Sequence, residues 1–142
     1  MRGTNMLVQE KPKQIGFVAK HSGVSIKTIR YYEELGLLKA SGRTEGGYRL
    51  FDSDILSRLS FIKRAQSLGL TLAEIKEFLH IHDQGDLPCE HAKVKLQEQI
   101  TEIDEQIQQL LALKQELQRL LLTQEPTVEN IEQVICPVIE QN

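Results

Sequence analysis

No glycine or proline interrupts the chain between Pro88 and Leu122. Along that stretch Leu96, Ile100, Ile103, Ile107, Leu110, Leu117 and Leu121 recur in alternating steps of four and three, and only Lys114 breaks the seam. This is the apolar stripe of a coiled coil, sustained for nearly four heptads. A helix over residues 88–122 would be about 52 Å long at 1.5 Å per residue. A stripe that narrow and that long cannot be covered by a small domain. It needs a partner helix, most simply the same helix of a second copy. The stripe therefore restricts the chain to a mainly α fold that dimerises through residues 88–122.

The remaining residues are unlike this helix in charge. A formal net charge of −3 conceals a division: residues 11–66 hold 11 Lys and Arg against 5 Asp and Glu, whereas residues 67–142 hold 5 against 14. Such asymmetry points to a nucleic-acid face on the first part and a different task on the second. Salt screens charge beyond about 8–10 Å, so the local excess decides and the acidic whole does not oppose DNA binding. Residues 1–13 are polar and unpatterned and read as a flexible leader. Without a signal-peptide core or an apolar run approaching roughly 18 residues, the expected compartment is the cytoplasm, with no membrane partner.

Two short helical patterns flank His21-Ser22-Gly23. Ile15, Val18 and Ala19 form the buried face of the first, which ends near Gly23. Ser25 suits the N-cap of the second, whose Ile26 and Ile29 point inward together with Leu37. Gly36 supplies its stop. Gly46-Gly47 then marks a hairpin over residues 43–50. Asp52 is expected to cap a helix with Ile55, Leu56, Leu59 and Ile62 on its apolar face, closed by Gly69. Thr71-Leu72-Ala73-Glu74 fits a capping box and opens a helix running to about His82. The order is that of a winged helix-turn-helix over residues 14–83.

The second helix carries more polar and aromatic reach than a buried helix needs. Phosphates supply affinity for DNA, and base edges supply specificity. Ser25, Lys27, Thr28, Arg30, Tyr31 and Tyr32 are the candidate contacts on this helix. Arg43, Tyr48 and Arg49 bracket the glycine turn and are the candidates on the wing. The alternative, that a tyrosine is core or an arginine merely solvated, is open for each residue singly; their clustering on two adjacent elements argues against it for all.

These residues also carry a resemblance. Ile15 to Ala19, the run Gly23-Val24-Ser25-Ile26-Lys27-Thr28-Ile29-Arg30-Tyr31-Tyr32-Glu33 and Gly46-Gly47-Tyr48-Arg49 resemble the MerR family of transcriptional regulators in order and spacing. The likeness continues through Gly69-Leu70-Thr71-Leu72 and the long helix, and so covers nearly the whole chain. It implies a homodimer with antiparallel long helices on a palindromic promoter operator. It further implies that effector binding bends and untwists the DNA, so that RNA polymerase engages both promoter elements. Deforming DNA in this way costs several kcal/mol.

Two cysteines remain, Cys89 at the start of the long helix and Cys136 in Ile135-Cys136-Pro137-Val138-Ile139. The helix carries the chain about 50 Å from Cys89. Residues 123–136 could return at most about 46–50 Å fully stretched, which all but excludes an intrachain pair. In the antiparallel dimer implied by the resemblance, Cys89 of one subunit arrives beside the far end of the other's helix, where Cys136 can fold back. The placement resembles the metal-sensing branch of the family, which implies a short C-terminal effector loop over residues 123–142. It departs from that branch in one respect: Leu122-Thr123-Gln124-Glu125 stands where another cysteine is usual. Two thiolates suit a soft divalent ion of low coordination, Hg(II) first and Zn(II), Cd(II) or Pb(II) next. Zinc would want four ligands, with His91 the best candidate to help and His82 and His80 behind it.

A helix N-terminus favours thiolate, so a redox or electrophile sensor of the same fold is the rival reading. An effector-free DNA-binding architectural protein is another. Nothing supports an enzyme. The chain has no GxSxG, P-loop or HExxH motif, and no third group completes a triad around Cys89.

Overall fold

A computed structural model describes residues 11–123 and 131–141. Residues 1–10 of the expected leader, and 124–130 and 142 of the expected effector loop, lie outside the described residues. The chain divides into two compact units, Met1–Ala92 and Lys93–Asn142.

The elements of the first unit are β1 (Lys13–Gln14), α1 (Ile15–Ser22), α2 (Ile26–Glu34), β2 (Gly42–Arg43), β3 (Arg49–Phe51), α3 (Ile55–Ser67) and α4 (Leu72–Asp83). Helix α5 (Cys89–Leu122) begins in this unit and continues through the second. The sheet has the order β1-β3-β2 and is antiparallel throughout, with Lys13 opposite Phe51 and Gly42 opposite Leu50. Strand β1 places Lys13, the last residue of the expected flexible leader, in the sheet. Lys13 is already paired, on a segment too short and polar to show alternation.

The helix ends follow local chemistry. Ser25 caps α2 by accepting from the Thr28 N–H at 3.1 Å. Leu37 N–H then closes the helix by donating to Tyr32 O at 2.9 Å across Gly36, whose φ of +84° only glycine adopts without strain. Thr71 and Glu74 form the full capping box on α4. Asp52 does not cap α3: the N-cap is Asp54, with no side-chain bond, and Asp52 contributes its carbonyl oxygen to the Ile55 N–H at 3.1 Å.

Val18, Ile29, Leu37, Phe51, Leu59, Ile62 and Ile75 are fully buried and form one core shared by α1 to α4 and the sheet. Each such side chain contributes about 1.5–3 kcal/mol relative to exposure. Ile26, expected to point inward, is 39% exposed: it opens α2, three positions before Ile29, the first buried residue of the helix. Arg58 ties the elements together. One end of its guanidinium pairs with Asp83 at 2.6 Å and the other donates to Leu37 O at 2.9 Å.

Helix α5 spans 34 residues and buries none of them. Pro88 precedes it and accepts the first helical bond, from Ala92 N–H at 2.9 Å. Every seam residue is solvent-exposed within the single chain, from 41% at Leu96 to 82% at Leu121. Among the described residues no helix is long and apolar enough to cross a membrane.

Candidate nucleic-acid interface and effector cysteines

Helix α2 has two faces set by its period. Ile29 and Tyr32 point into the core, while Lys27, Arg30 and Tyr31 point out, Tyr31 being 50% exposed. Three- and four-residue spacing puts Lys27, Arg30 and Tyr31 together on one outward strip. It offers two cations and a phenol at the surface. Ser25 and Thr28 stand at the start of this strip with their hydroxyls 2.9 Å apart. Ser25 is thus committed to the cap, and Thr28 is held beside it.

Tyr32 is placed differently from its neighbour. It is 6% exposed, and its hydroxyl donates to Gln66 Oε1 at 3.0 Å. Of the candidate contacts on α2 it is the one turned into the core. Its ring is core, and its hydroxyl pins α2 to α3.

The wing is a tight hairpin. Gly47 N–H donates to Thr44 O at 2.9 Å and Thr44 N–H donates to Tyr48 O at 2.8 Å. With Gly47 at φ +84°, this is a turn followed by a left-handed bulge residue. A side chain at Gly46 would meet the Tyr48 ring at 3.3 Å, so the glycine pair leaves room for that ring to lie over the turn. Tyr48 is 66% exposed. Arg43 donates to Gly47 O at 3.0 Å, which fixes its guanidinium along the hairpin. Arg49 pairs with the Glu33 carboxylate at 2.8 Å. That ion pair joins β3 to α2, and Glu33 was not singled out by the sequence reading. Arg30, Glu33, Glu34 and Arg49 line a cleft between the helix and the wing. A second groove, between α1 and α3, carries Lys63 and Arg64 beside His21. These two cations were also overlooked, although both lie in the basic segment.

The candidate effector groups are distributed over both units. Cys89 is exposed at the first position of α5, Cys136 is half-buried in the C-terminal segment, and both are free thiols. His91 is engaged on α4: its ring stands edge-on to Phe78 at 4.7 Å, and Nε2 lies 3.1 Å from Glu77 Oε2. Those contacts would have to break before it could bind a metal through Nε2. Among the described residues no group of three or more His, Cys, Asp or Glu side chains is placed to hold a metal within one chain. Cys89 and Cys136 are the soft donors among the described residues.

A helix-turn-helix with an outward strip of Lys27, Arg30 and Tyr31, flanked by a glycine-turned wing, defines a DNA-binding regulatory protein. Residues 14–80 match the MerR HTH family regulatory proteins, and residues 56–120 match the family described as MerR, DNA binding. The chain is 39% identical over 127 residues to the mercuric resistance operon regulatory protein of Bacillus cereus, covering 89% of this chain and 94% of that one. It is 40% identical over 108 residues to the HTH-type transcriptional regulator ZntR of Escherichia coli K12, covering 75% and 77% respectively. Among solved structures it is similar to the transcription regulator PbrR691 of Ralstonia metallidurans in complex with lead(II). That match has a TM-score of 0.71 and 30% identity, with 89% of this chain and 96% of that one covered. The chain belongs to the MerR family of transcription regulators, which are DNA-binding proteins and not enzymes.

Proposed function

We propose that this protein is a cytoplasmic, metal-responsive regulator that binds a palindromic promoter operator as a homodimer. Lys27, Thr28, Arg30 and Tyr31 enter or border the major groove. Arg43 and Tyr48 of the wing contact the neighbouring backbone. Ser25 and Arg49 serve the same interface less directly: Ser25 caps the recognition helix, and Arg49 sets the wing against it through Glu33. The observation that carries this reading is the outward strip on α2 standing next to the exposed wing tyrosine, while Ile29 and Tyr32 hold the same helix in the core.

The seam of α5 pairs with that of a second copy. In an antiparallel pair, Cys136 of one subunit meets Cys89 of the partner subunit, giving two equivalent sites per dimer. A thiophilic divalent ion, Hg(II) before Zn(II), Cd(II) or Pb(II), supplies two strong bonds to thiolate there. Relatives named for mercuric resistance and solved with lead(II) support a metal effector. Closure of the two sites biases the long helices and, through α4, the DNA-binding units. The operator is thereby bent and untwisted toward a form that RNA polymerase uses.

The test is titration of the reduced protein with each of these ions, following thiolate-to-metal absorbance and metal per subunit. One tight ion per subunit, lost in both Cys89→Ser and Cys136→Ser, is the expected result. Absence of tight binding, with an intersubunit disulfide forming under mild oxidant, would transfer the sensor role to thiol oxidation.

A further inference from the structure

Near the C-terminus Glu140 makes contacts that neither the DNA interface nor the pair of thiols uses. Its Oε2 accepts from the backbone N–H of Ile135 at 2.9 Å and from that of Cys136 at 2.7 Å. Its own backbone N–H donates to the Cys136 carbonyl oxygen at 3.1 Å. Two of these three bonds fasten the peptide groups that flank the Cys136 α-carbon, and the third holds the peptide group before them. Pro137, with its fixed φ, occupies the position between, and Gln141 Nε2 closes the far side by donating to Val138 O at 3.0 Å.

Within the single chain Ile135 is 97% exposed and Ile139 is 71% exposed, so these two side chains do not anchor the loop there. Hydrogen bonds to a carboxylate are roughly twice as strong as neutral ones, which makes Glu140 the principal restraint on the Cys136 backbone.

We propose that Glu140 is a positioning residue for Cys136, presetting the loop from which the thiol is presented without itself binding the ion. This rests on the metal reading above. Two N–H donors already occupy Oε2, and soft ions select thiolate over carboxylate oxygen. A loop closed before the ion arrives avoids the ordering cost that a slack loop would incur on binding. Groups that orient a ligand in this way are typically worth about 10–100-fold in metal affinity.

The experiment compares Glu140→Ala and Glu140→Gln in the full chain. Hg(II) affinity is measured against a competing thiol buffer, and amide hydrogen exchange at Ile135 and Cys136 is followed in the metal-free protein. A glutamine carbonyl can still accept both N–H groups but is a poor metal ligand. The expected result is fast exchange at both amides and an affinity loss of about 10–100-fold in Glu140→Ala, with both restored to near the parent level in Glu140→Gln. Unchanged exchange or unchanged affinity in Glu140→Ala would overturn the proposal. An equal affinity loss in both variants, with exchange still slow in Glu140→Gln, would overturn it too, by making the carboxylate a ligand. Failure of the underlying metal reading looks different: the parent protein and Cys136→Ser would bind Hg(II) alike.

Discussion

The first unit and helix α5 solve the problem of apolar surface in opposite ways. Between Val18 and Leu79 the chain buries fifteen apolar side chains in a core of its own. Helix α5 is more than twice as long as any helix of that core and buries none of its residues. Both carry regular apolar patterns. The difference lies in what surrounds them: α1 to α4 are short helices whose tight turns and intervening wing fold their stripes onto one another, whereas α5 has no turn along its length to bring a second stripe back onto it. The first unit is therefore stabilised by its own contacts, whereas the apolar stripe of α5 stays exposed in the single chain.

The comparison is sharpest where a substitution strikes one region and spares the other. The largest effect is expected from Phe51→Ala, which empties a fully buried site on β3. It should cost about 3–5 kcal/mol in denaturant unfolding of the first unit. A loss below about 1 kcal/mol would mean that the wing strand is not part of the core, since even an exchange as small as Ile→Val typically costs 0.5–1.5 kcal/mol.

Ile103→Glu combined with Ile107→Glu attacks only the seam, at two positions about half exposed in the single chain. A monomer at micromolar concentration in analytical ultracentrifugation is expected, with operator affinity falling and the first unit still folded. If the variant stayed dimeric, a different face of α5 would have to carry the association.

The smallest effects separate the two adjacent tyrosines. Tyr32→Phe removes only the hydroxyl that bonds Gln66 and should cost about 1 kcal/mol of stability with little change in DNA binding. Tyr31→Ala should leave stability almost unaltered and weaken operator binding by about 1–3 kcal/mol, read by fluorescence anisotropy at fixed salt. Reversal of that pattern would exchange the roles assigned to the two residues.

Much of this architecture is legible along the chain because the signals are local. The Thr71–Glu74 box, the Ser25 cap and the heptad seam each depend on residues within a few positions of one another, and each stands where the sequence places it. The misreadings share a different cause. Strand β1 exists because Phe51 and Leu50 of β3 lie opposite Lys13 and Gln14, nearly forty residues on, and two polar residues carry no period of their own. Asp52 looks like a cap by composition, yet the turn that starts α3 uses its carbonyl and leaves Asp54 at the N-cap. The contacts of His91, a candidate ligand by its distance from Cys89, with Phe78 and Glu77 of α4 are likewise not written in its spacing. Glu140 carries no motif at all, and its contact with the Cys136 amides depends on the turn that follows Pro137.

Periodicity, capping chemistry and charge division are written in the sequence because each is a property of a helix or a turn, stabilised over a few residues. They determine a helix-turn-helix, a glycine-turned wing and a long unbroken helix with an apolar stripe. Which of two neighbouring tyrosines points outward, which carboxylate holds Arg49, and which residue bonds the Cys136 backbone are decided only in three dimensions. Each of those choices depends on which distant group occupies the space beside a side chain, and spacing along the chain does not encode that.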